Sequence, residues 1–232
     1  MRSGAPPALA FDVYGTLGDV AQMAGELGDR RDLGPLISLW RRHQLEISWL
    51  LSVMERYEDF ERVTAYALDV AIGECGLRLS GADRRALMRS VELLEVHSDV
   101  DVALARLDDA GFPLAVLSNG SPRMLDALLG RAGIRERFAA VISVDEVGVF
   151  KPAPAVYHHA ARRLGRLIGD VWLVSGNPFD AAGAKAAGMR VAKIERQPSF
   201  RYPFAGDPDI TVSSLEELAA RLIEGPEGGQ TR

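Results

Sequence analysis

Apolar residues in this chain follow two rhythms. Short, nearly unbroken runs occur at Leu9-Ala10-Phe11-Asp12-Val13, Leu114-Ala115-Val116-Leu117, Ala139-Ala140-Val141-Ile142, Val171-Trp172-Leu173-Val174 and Val191-Ala192-Lys193-Ile194. Runs of this length suit parallel strands covered on both faces. Between them, apolar positions recur at helical spacing. Leu125, Leu128 and Leu129 follow the N-cap pair Ser121-Pro122; Val156, Ala160 and Leu164 end at Gly165; Ala181 to Ala187 end at Gly188; and Leu215, Leu218 and Leu222 lie near the end of the chain. Capping residues ahead of such patterns and glycines behind them are helix start and stop signals. The alternation predicts an α/β fold with a doubly wound parallel sheet.

Residues 20–97 break the alternation. Leu36, Leu39, Trp40, Ile47, Leu50, Leu51 and Met54 keep helical spacing, as do Phe60, Val63, Ala67, Leu68 and Ile72, then Leu87, Val91 and Leu94. The expected organisation is a core of residues 1–17 and 98–224, a helical insert of residues 18–97, and a Gly-rich tail of residues 225–232 expected to be disordered. An insert after the first strand would stand over the carboxyl ends of the strands, where open α/β sheets bind ligands.

Composition narrows the partners. The 232 residues are 47% hydrophobic and 25% charged with a net charge of −5, which fits a soluble globular chain and argues against disorder. Acidic residues outnumber basic ones and no Lys/Arg run appears, so a small molecule is expected rather than nucleic acid. No stretch is apolar for long enough to span a membrane, and the run ahead of Asp12 is too short for a signal-peptide core. Cys75 is the only cysteine, which excludes an intrachain disulfide and a thiolate cage and points to the cytoplasm.

Polar residues gather where the apolar runs stop: Asp12 and Thr16, Ser118 and Asn119, Lys151, then Ser175, Asn177 and Asp180. Serines and asparagines at such turns have an ordinary use as caps, and Asp180 opening a helix has one as a helix N-terminal charge. Asp12 and Lys151 are different. A carboxylate directly after an apolar strand needs a cationic partner, and Lys151, heading Lys-Pro-Ala-Pro, has no capping reason to be there.

In this order, Phe11-Asp12-Val13-Tyr14-Gly15-Thr16-Leu17, Leu117-Ser118-Asn119-Gly120-Ser121-Pro122, Lys151-Pro152 and Ser175-Gly176-Asn177-Pro178-Phe179-Asp180 resemble the four signature motifs of the haloacid dehalogenase superfamily. Trp40-Arg41-Arg42-His43-Gln44-Leu45-Glu46 and Lys151 to Tyr157 are similar to segments of its 2-haloacid dehalogenases. The resemblance spans nearly the whole chain and makes the helical insert a cap domain. It implies that Asp12 attacks C2 of a short 2-haloacid, expelling halide with inversion and forming an aspartyl ester that water then hydrolyses. Under it, Lys151 steadies Asp12, Ser118 and backbone N–H groups near Tyr14 take the substrate carboxylate, and Arg41 and Asn119 cradle the halide. Thr16, Ser175 and Tyr157 support the site, and Asn177 and Asp180 position and activate water. Leu45, Phe60 and Phe179 form an apolar wall. It implies no cofactor or metal, and a homodimer.

Residue types agree with that chemistry. The superfamily's phosphatases carry a second Asp two residues after the nucleophile and acidic magnesium ligands in the last motif, but here Tyr14, Ser175, Gly176 and Asn177 stand there. A halide leaves without a proton, so loss of the general acid costs that reaction little. Periodicity separates Arg41 from Arg42: Ile37, Arg41 and Leu45 share an i, i+4 stripe, whereas Arg42 lines up with Ser38 and Glu46. Adjacent His158 and His159 point about 100° apart on a helix, cannot share a metal, and are expected at the surface. Gly18, Gly176 and Phe179 depart from the commonest dehalogenase pattern and leave pocket size open. Haloacetates including fluoroacetate, strained-ring carboxylates, a phosphate ester, or binding without turnover therefore remain alternatives.

Overall fold

The computed structural model describes residues 6–27 and 33–225. Its centre is a six-stranded, wholly parallel sheet ordered β3-β2-β1-β4-β5-β6. The strands are β1 (Ala8–Phe11), β2 (Leu114–Ser118), β3 (Ala140–Ser143), β4 (Val171–Ser175), β5 (Arg190–Ile194) and β6 (Ile210–Val212). All of β1, β2 and β4 is buried, as strands covered on both faces must be.

Chain order reverses at β1, which lies between β2 and β4. Such a switch point opens a crevice at the carboxyl ends of the strands. Asp12 sits there, one residue past β1, its own N–H still donating to Val174 O at 3.0 Å.

The segment between β1 and β2 is helical, as the spacing predicts. A 3-10 segment (Val20–Leu27) precedes α1 (Leu33–Val53), α2 (Phe60–Glu74) and α3 (Gly81–Glu92). Its two connections to the core run side by side: Asp19 N donates to Glu95 O, and His97 N to Leu17 O, each at 2.9 Å. The rest of the chain supplies α4 (Val100–Asp109), α5 (Pro122–Arg131), α6 (Pro154–Arg163), α7 (Pro178–Ala187) and α8 (Leu215–Glu224).

Several expectations change. The sheet has a sixth strand, β6, too short and too polar in its flanks to stand out. Helix α4 was not anticipated. Leu50 and Met54, grouped above with the apolar face of α1, are 52% and 54% exposed. The buried stripe of that helix runs instead through Leu33, Leu36, Trp40, Gln44, Ser48 and Leu51, and two of its members are polar. His158 is exposed, while His159 is half-buried and pairs with Glu146 at 2.7 Å. The proposed tail lies outside the described residues beyond Gly225.

One buried ion pair ties three core elements together. Asp99, at the start of α4, accepts two 2.9 Å bonds from Arg196 beyond β5 and a 2.7 Å bond from Leu215 N at the start of α8. Burial alone would push the Asp99 carboxyl up, but Arg196 and the Leu215 N–H outweigh it and hold it below its ordinary value. A carboxyl depressed in the folded chain adds stability that is complete above its unfolded value of 3.8 and fades as pH falls through the lower folded value. Asp99→Asn is expected to cost about 2 kcal/mol at pH 7, below the value for a fully buried pair because solvent reaches this one. Urea denaturation at pH 7 and at pH 3 checks this; the gap from the parent chain should narrow at the lower pH.

Candidate active site

A tight turn after β1 shapes one side of the site. Thr16, Leu17 and Gly18 all direct their N–H groups at Val13 O, between 2.9 and 3.2 Å, and Gly15 takes a φ of 85°, which glycine alone adopts without strain. The turn brings the Thr16 hydroxyl back onto Asp12 Oδ2 at 2.7 Å. The same hydroxyl accepts from Gly176 N at 2.8 Å, so the β1 and β4 loops are stitched together through one oxygen.

Asp12 and Asp180 share one cation. Lys151 Nζ lies 3.2 Å from Asp12 Oδ1, 2.9 Å from Asp180 Oδ2 and 2.7 Å from Leu117 O, which uses all three ammonium protons. Both Lys151 and Asp180 are fully enclosed. Burial works against the ammonium, but the charges of Asp180 and Asp12 outweigh it and raise the Lys151 pKa. Burial is the main reason the Asp180 carboxyl is raised, with Asp12 adding to it and Lys151 opposing. Asp180 Oδ1 accepts from the Tyr157 hydroxyl at 2.8 Å, so both its oxygens are engaged.

The remaining residues named from the sequence fall around this centre. Asn177 Nδ2 donates to Asp12 Oδ2 at 2.7 Å and to Tyr14 O at 2.9 Å. Ser175 Oγ accepts from Asn177 N at 3.1 Å and fixes the turn that presents that amide. Ser118 is buried at the end of β2, with Oγ accepting from Gly120 N, and Asn119 Oδ1 accepts from Lys151 N at 3.0 Å. Tyr14 and Phe60 pack with ring centres 5.9 Å apart. Burial lowers the Arg41 guanidinium, and the charges of Asp12 and Tyr14 oppose this, so Arg41 of α1 lies within their electrostatic reach. Arg42 instead lies on the surface and pairs with Glu74 at 2.9 Å, as the periodicity predicts. Leu45 is half-buried on the Arg41 stripe.

Two contributors escaped the sequence reading. Trp49 donates its indole N–H to Lys151 O at 3.2 Å and sets its ring edge-on to Phe179, 5.7 Å between centres. It continues the stripe Arg41, Leu45, Trp49 by one more step of four, so the same periodicity could have found it. Gln44 is buried and hydrogen bonds Arg41.

The donor set is a poor one for magnesium. Beside Asp12 the chain offers a tyrosine, a serine, a glycine and an asparagine, and among the described residues the neighbouring carboxylate, Asp180, is held by Lys151. A hard cation needs more carboxylate oxygens than that. The arrangement suits covalent catalysis: an oriented carboxylate, a fixed counter-cation, and a second cation across the pocket.

Fold and site together define an α/β hydrolase with an aspartate–lysine–aspartate cluster at a sheet switch point. Residues 6–188 match the family model described as haloacid dehalogenase-like hydrolase, and the chain belongs to that family. It is 39% identical over 214 residues to (S)-2-haloacid dehalogenase 2 of Pseudomonas sp. (strain CBS-3), covering 90% of this chain and 93% of that one. It is 41% identical over 221 residues to (S)-2-haloacid dehalogenase of Xanthobacter autotrophicus, covering 94% and 80%. A solved L-2-haloacid dehalogenase from Xanthobacter autotrophicus with chloropropionic acid covalently bound superposes with a TM-score of 0.87 at 34% identity, covering 95% of this chain and 99% of that one.

Close backbone approach is built into the site. A Cβ at Gly176 would collide with Gly15 O, and one at Gly183 would lie 2.5 Å from Pro152 Cβ and 2.6 Å from the Tyr157 hydroxyl oxygen. Gly183→Ala must therefore push α7 away from Pro152 and Tyr157. It is expected to destabilise the fold by about 1–3 kcal/mol, read as a lower urea midpoint. An unchanged midpoint would show that α7 has slack at this contact.

Proposed function

We propose that this chain hydrolyses the carbon–halogen bond of a short L-2-haloalkanoic acid, giving the D-2-hydroxy acid and halide. The observation that carries the reading is the Asp12–Lys151–Asp180 cluster with Arg41 facing it, in a chain with the relatives named above. Asp12 Oδ2 accepts two short hydrogen bonds, whereas Oδ1 accepts one longer bond from Lys151. Oδ1 is therefore the oxygen free to attack.

In the first step a lone pair of Oδ1 forms a bond to C2 as the carbon–halogen bond breaks, and halide departs with that electron pair toward Arg41 and Asn119. Ser118 and the N–H groups near Tyr14 hold the substrate carboxylate, and Leu45, Phe60 and Phe179 keep bulk water from the reacting carbon. In the second step water attacks the ester carbonyl carbon of Asp12, the Cγ–O bond to the substrate breaks, and the hydroxy acid leaves. Asn177 positions that water, Asp180 takes one of its protons and passes it to the departing 2-oxygen, and the regenerated Asp12 carboxyl loses the other to solvent. Thr16, Ser175 and Tyr157 hold the two acids and Asn177 in place. Residues 18–97 act as the cap that closes the pocket.

The same reading includes a homodimer and a cytoplasmic setting. One face carries both a knob and a hole. Val53 and Phe204, each 83% exposed, rim a largely apolar hollow of about 690 Å³ that also touches Phe150, Pro152, Ala182, Gly183 and Ala186. A two-fold dimer needs such a self-complementary patch, so a second copy is the proposed occupant. No described helix is long and apolar enough to cross a membrane.

Incubation with L-2-chloropropionate and EDTA should release chloride, measured by ion chromatography, and Asp12→Ala should abolish it. In a single turnover in heavy-oxygen water, with enzyme in excess, the label should enter the Asp12 carboxylate and not the hydroxy acid. Chloride release that survives Asp12→Ala, or magnesium-dependent release of phosphate from an aryl phosphate in its place, would refute the reading. For the assembly, light scattering after size exclusion should give a dimer mass for the parent chain and a monomer mass for Val53→Asp/Phe204→Asp.

A further inference from the structure

Resting on the dehalogenase reading, we infer that Gln44 is a positioning residue that aims the Arg41 guanidinium at the departing halide, and that Thr64 holds the Gln44 amide in the orientation that does so.

The argument starts from an oddity of α1. A helix buries its apolar stripe, yet the stripe here places Gln44 between Trp40 and Ser48, 1% exposed. A buried amide must be hydrogen bonded at both ends. Gln44 Nε2 donates to Thr64 Oγ1 at 2.6 Å, and Gln44 Oε1 accepts from Arg41 Nη1.

Nitrogen and oxygen of an amide are interchangeable in shape; the guanidinium, a donor only, requires the carbonyl, and the group at the far end must agree. Thr64 does. Its hydroxyl has one proton, and that proton is given to Phe60 O at 2.6 Å within α2. The oxygen can then only accept from Gln44, which turns the amide nitrogen toward Thr64 and leaves the carbonyl for Arg41. α2 is itself pinned to α1 next door, where Trp40 Nε1 donates to Thr64 O at 2.8 Å. The chain Phe60 O, Thr64, Gln44, Arg41 is thus polarised in one direction and ends on the guanidinium.

The chemical type of the last partner matters. An amide carbonyl holds a guanidinium without neutralising it, so the positive charge stays available to a leaving anion. A carboxylate at position 44 would give similar geometry and cancel that charge. Neighbouring Arg42 shows the contrast, spent on Glu74 at the surface.

Chloride leaves less readily than iodide and needs more help from the cation facing it. If Gln44 aims Arg41, then Gln44→Met, Gln44→Glu and Thr64→Val should each slow ester formation more for L-2-chloropropionate than for the iodo acid. Gln44→Met should lower kcat/KM for the chloro acid roughly 10- to 100-fold and widen the iodo-to-chloro ratio severalfold. Hydrolysis of the ester should be unchanged in single-turnover traces, and Thr64→Ser should behave as the parent. Bromide affinity, read by isothermal titration, should fall in the same variants, and this readout does not depend on turnover.

An iodo-to-chloro ratio and a bromide affinity that stay at the parent values in Gln44→Met and Thr64→Val, with folded protein by circular dichroism, would overturn the inference while leaving the dehalogenase reading intact. A parent chain that releases no halide would remove that reading instead; the inference then stands if bromide affinity still depends on Gln44, and falls if it does not or if no bromide binds.

Discussion

Everything in this molecule is arranged around one ammonium group buried between two carboxylates. Taking ions out of water costs several kcal/mol each, and mutual attraction repays this only when the remaining hydrogen-bonding capacity is met. Here it is met almost completely. Lys151 spends its third proton on Leu117 O, Asp180 accepts from Tyr157, and Asp12 accepts from Thr16 and Asn177. The one loosely held acceptor is Asp12 Oδ1, and that is the atom the chemistry needs. The cluster carries one net negative charge, which Arg41 faces from α1. In the proposed reaction the Asp12 charge passes to the leaving group as the ester forms, and Arg41 is the cation offered to receive it.

Holding these groups at hydrogen-bond distance requires four strand ends to meet, and the parallel sheet does this without long loops. β1 supplies Asp12, β2 Ser118 and Asn119, the segment after β3 Lys151, and β4 Ser175 and Asn177, with Asp180 in the first turn of α7. Glycines set how near they come. Gly176 lets the β4 loop touch Gly15, and Gly183 lets α7 lie on Pro152 and Tyr157. The site's precision therefore rests as much on missing side chains as on present ones.

The sheet and the acid–lysine core were legible because their signals are local and strong. An acid ending an apolar strand and a lysine with no cap to make both break the pattern around them, and both mark the cluster. Arg41 separated from Arg42 by periodicity alone. Gln44 and Trp49 did not emerge for opposite reasons. Trp49 stands outside the apolar positions read for that helix, and its bond to Lys151 O joins positions 102 apart in the chain. Gln44 received no role of its own within the segment Trp40 to Glu46, because a polar letter in a helix says nothing about where its amide goes. The exposure of Leu50 and Met54 had no local sign either, since an apolar residue on a helix reads the same whether it faces the core or solvent. β6, with three residues, falls below the length at which alternation is distinguishable from loop.

The identity of the residue two places after Asp12 decides which bond such a site can cut. A second carboxylate there would supply a proton to an alkoxide and an oxygen to a metal ion. Tyr14 supplies neither in that position: burial, aided by the Asp12 charge, pushes its phenol well above the ordinary range, and its ring packs on Phe60. A phosphate dianion entering would meet Asp12 and Asp180 with Lys151 already shared between them. On the proposed reading a haloacid brings one negative charge, places it on Ser118 and backbone N–H groups, and releases an anion that asks for no proton. The tyrosine turns a general-acid position into part of an apolar wall, and with it the carbon–halogen bond becomes the one this electrostatic arrangement serves.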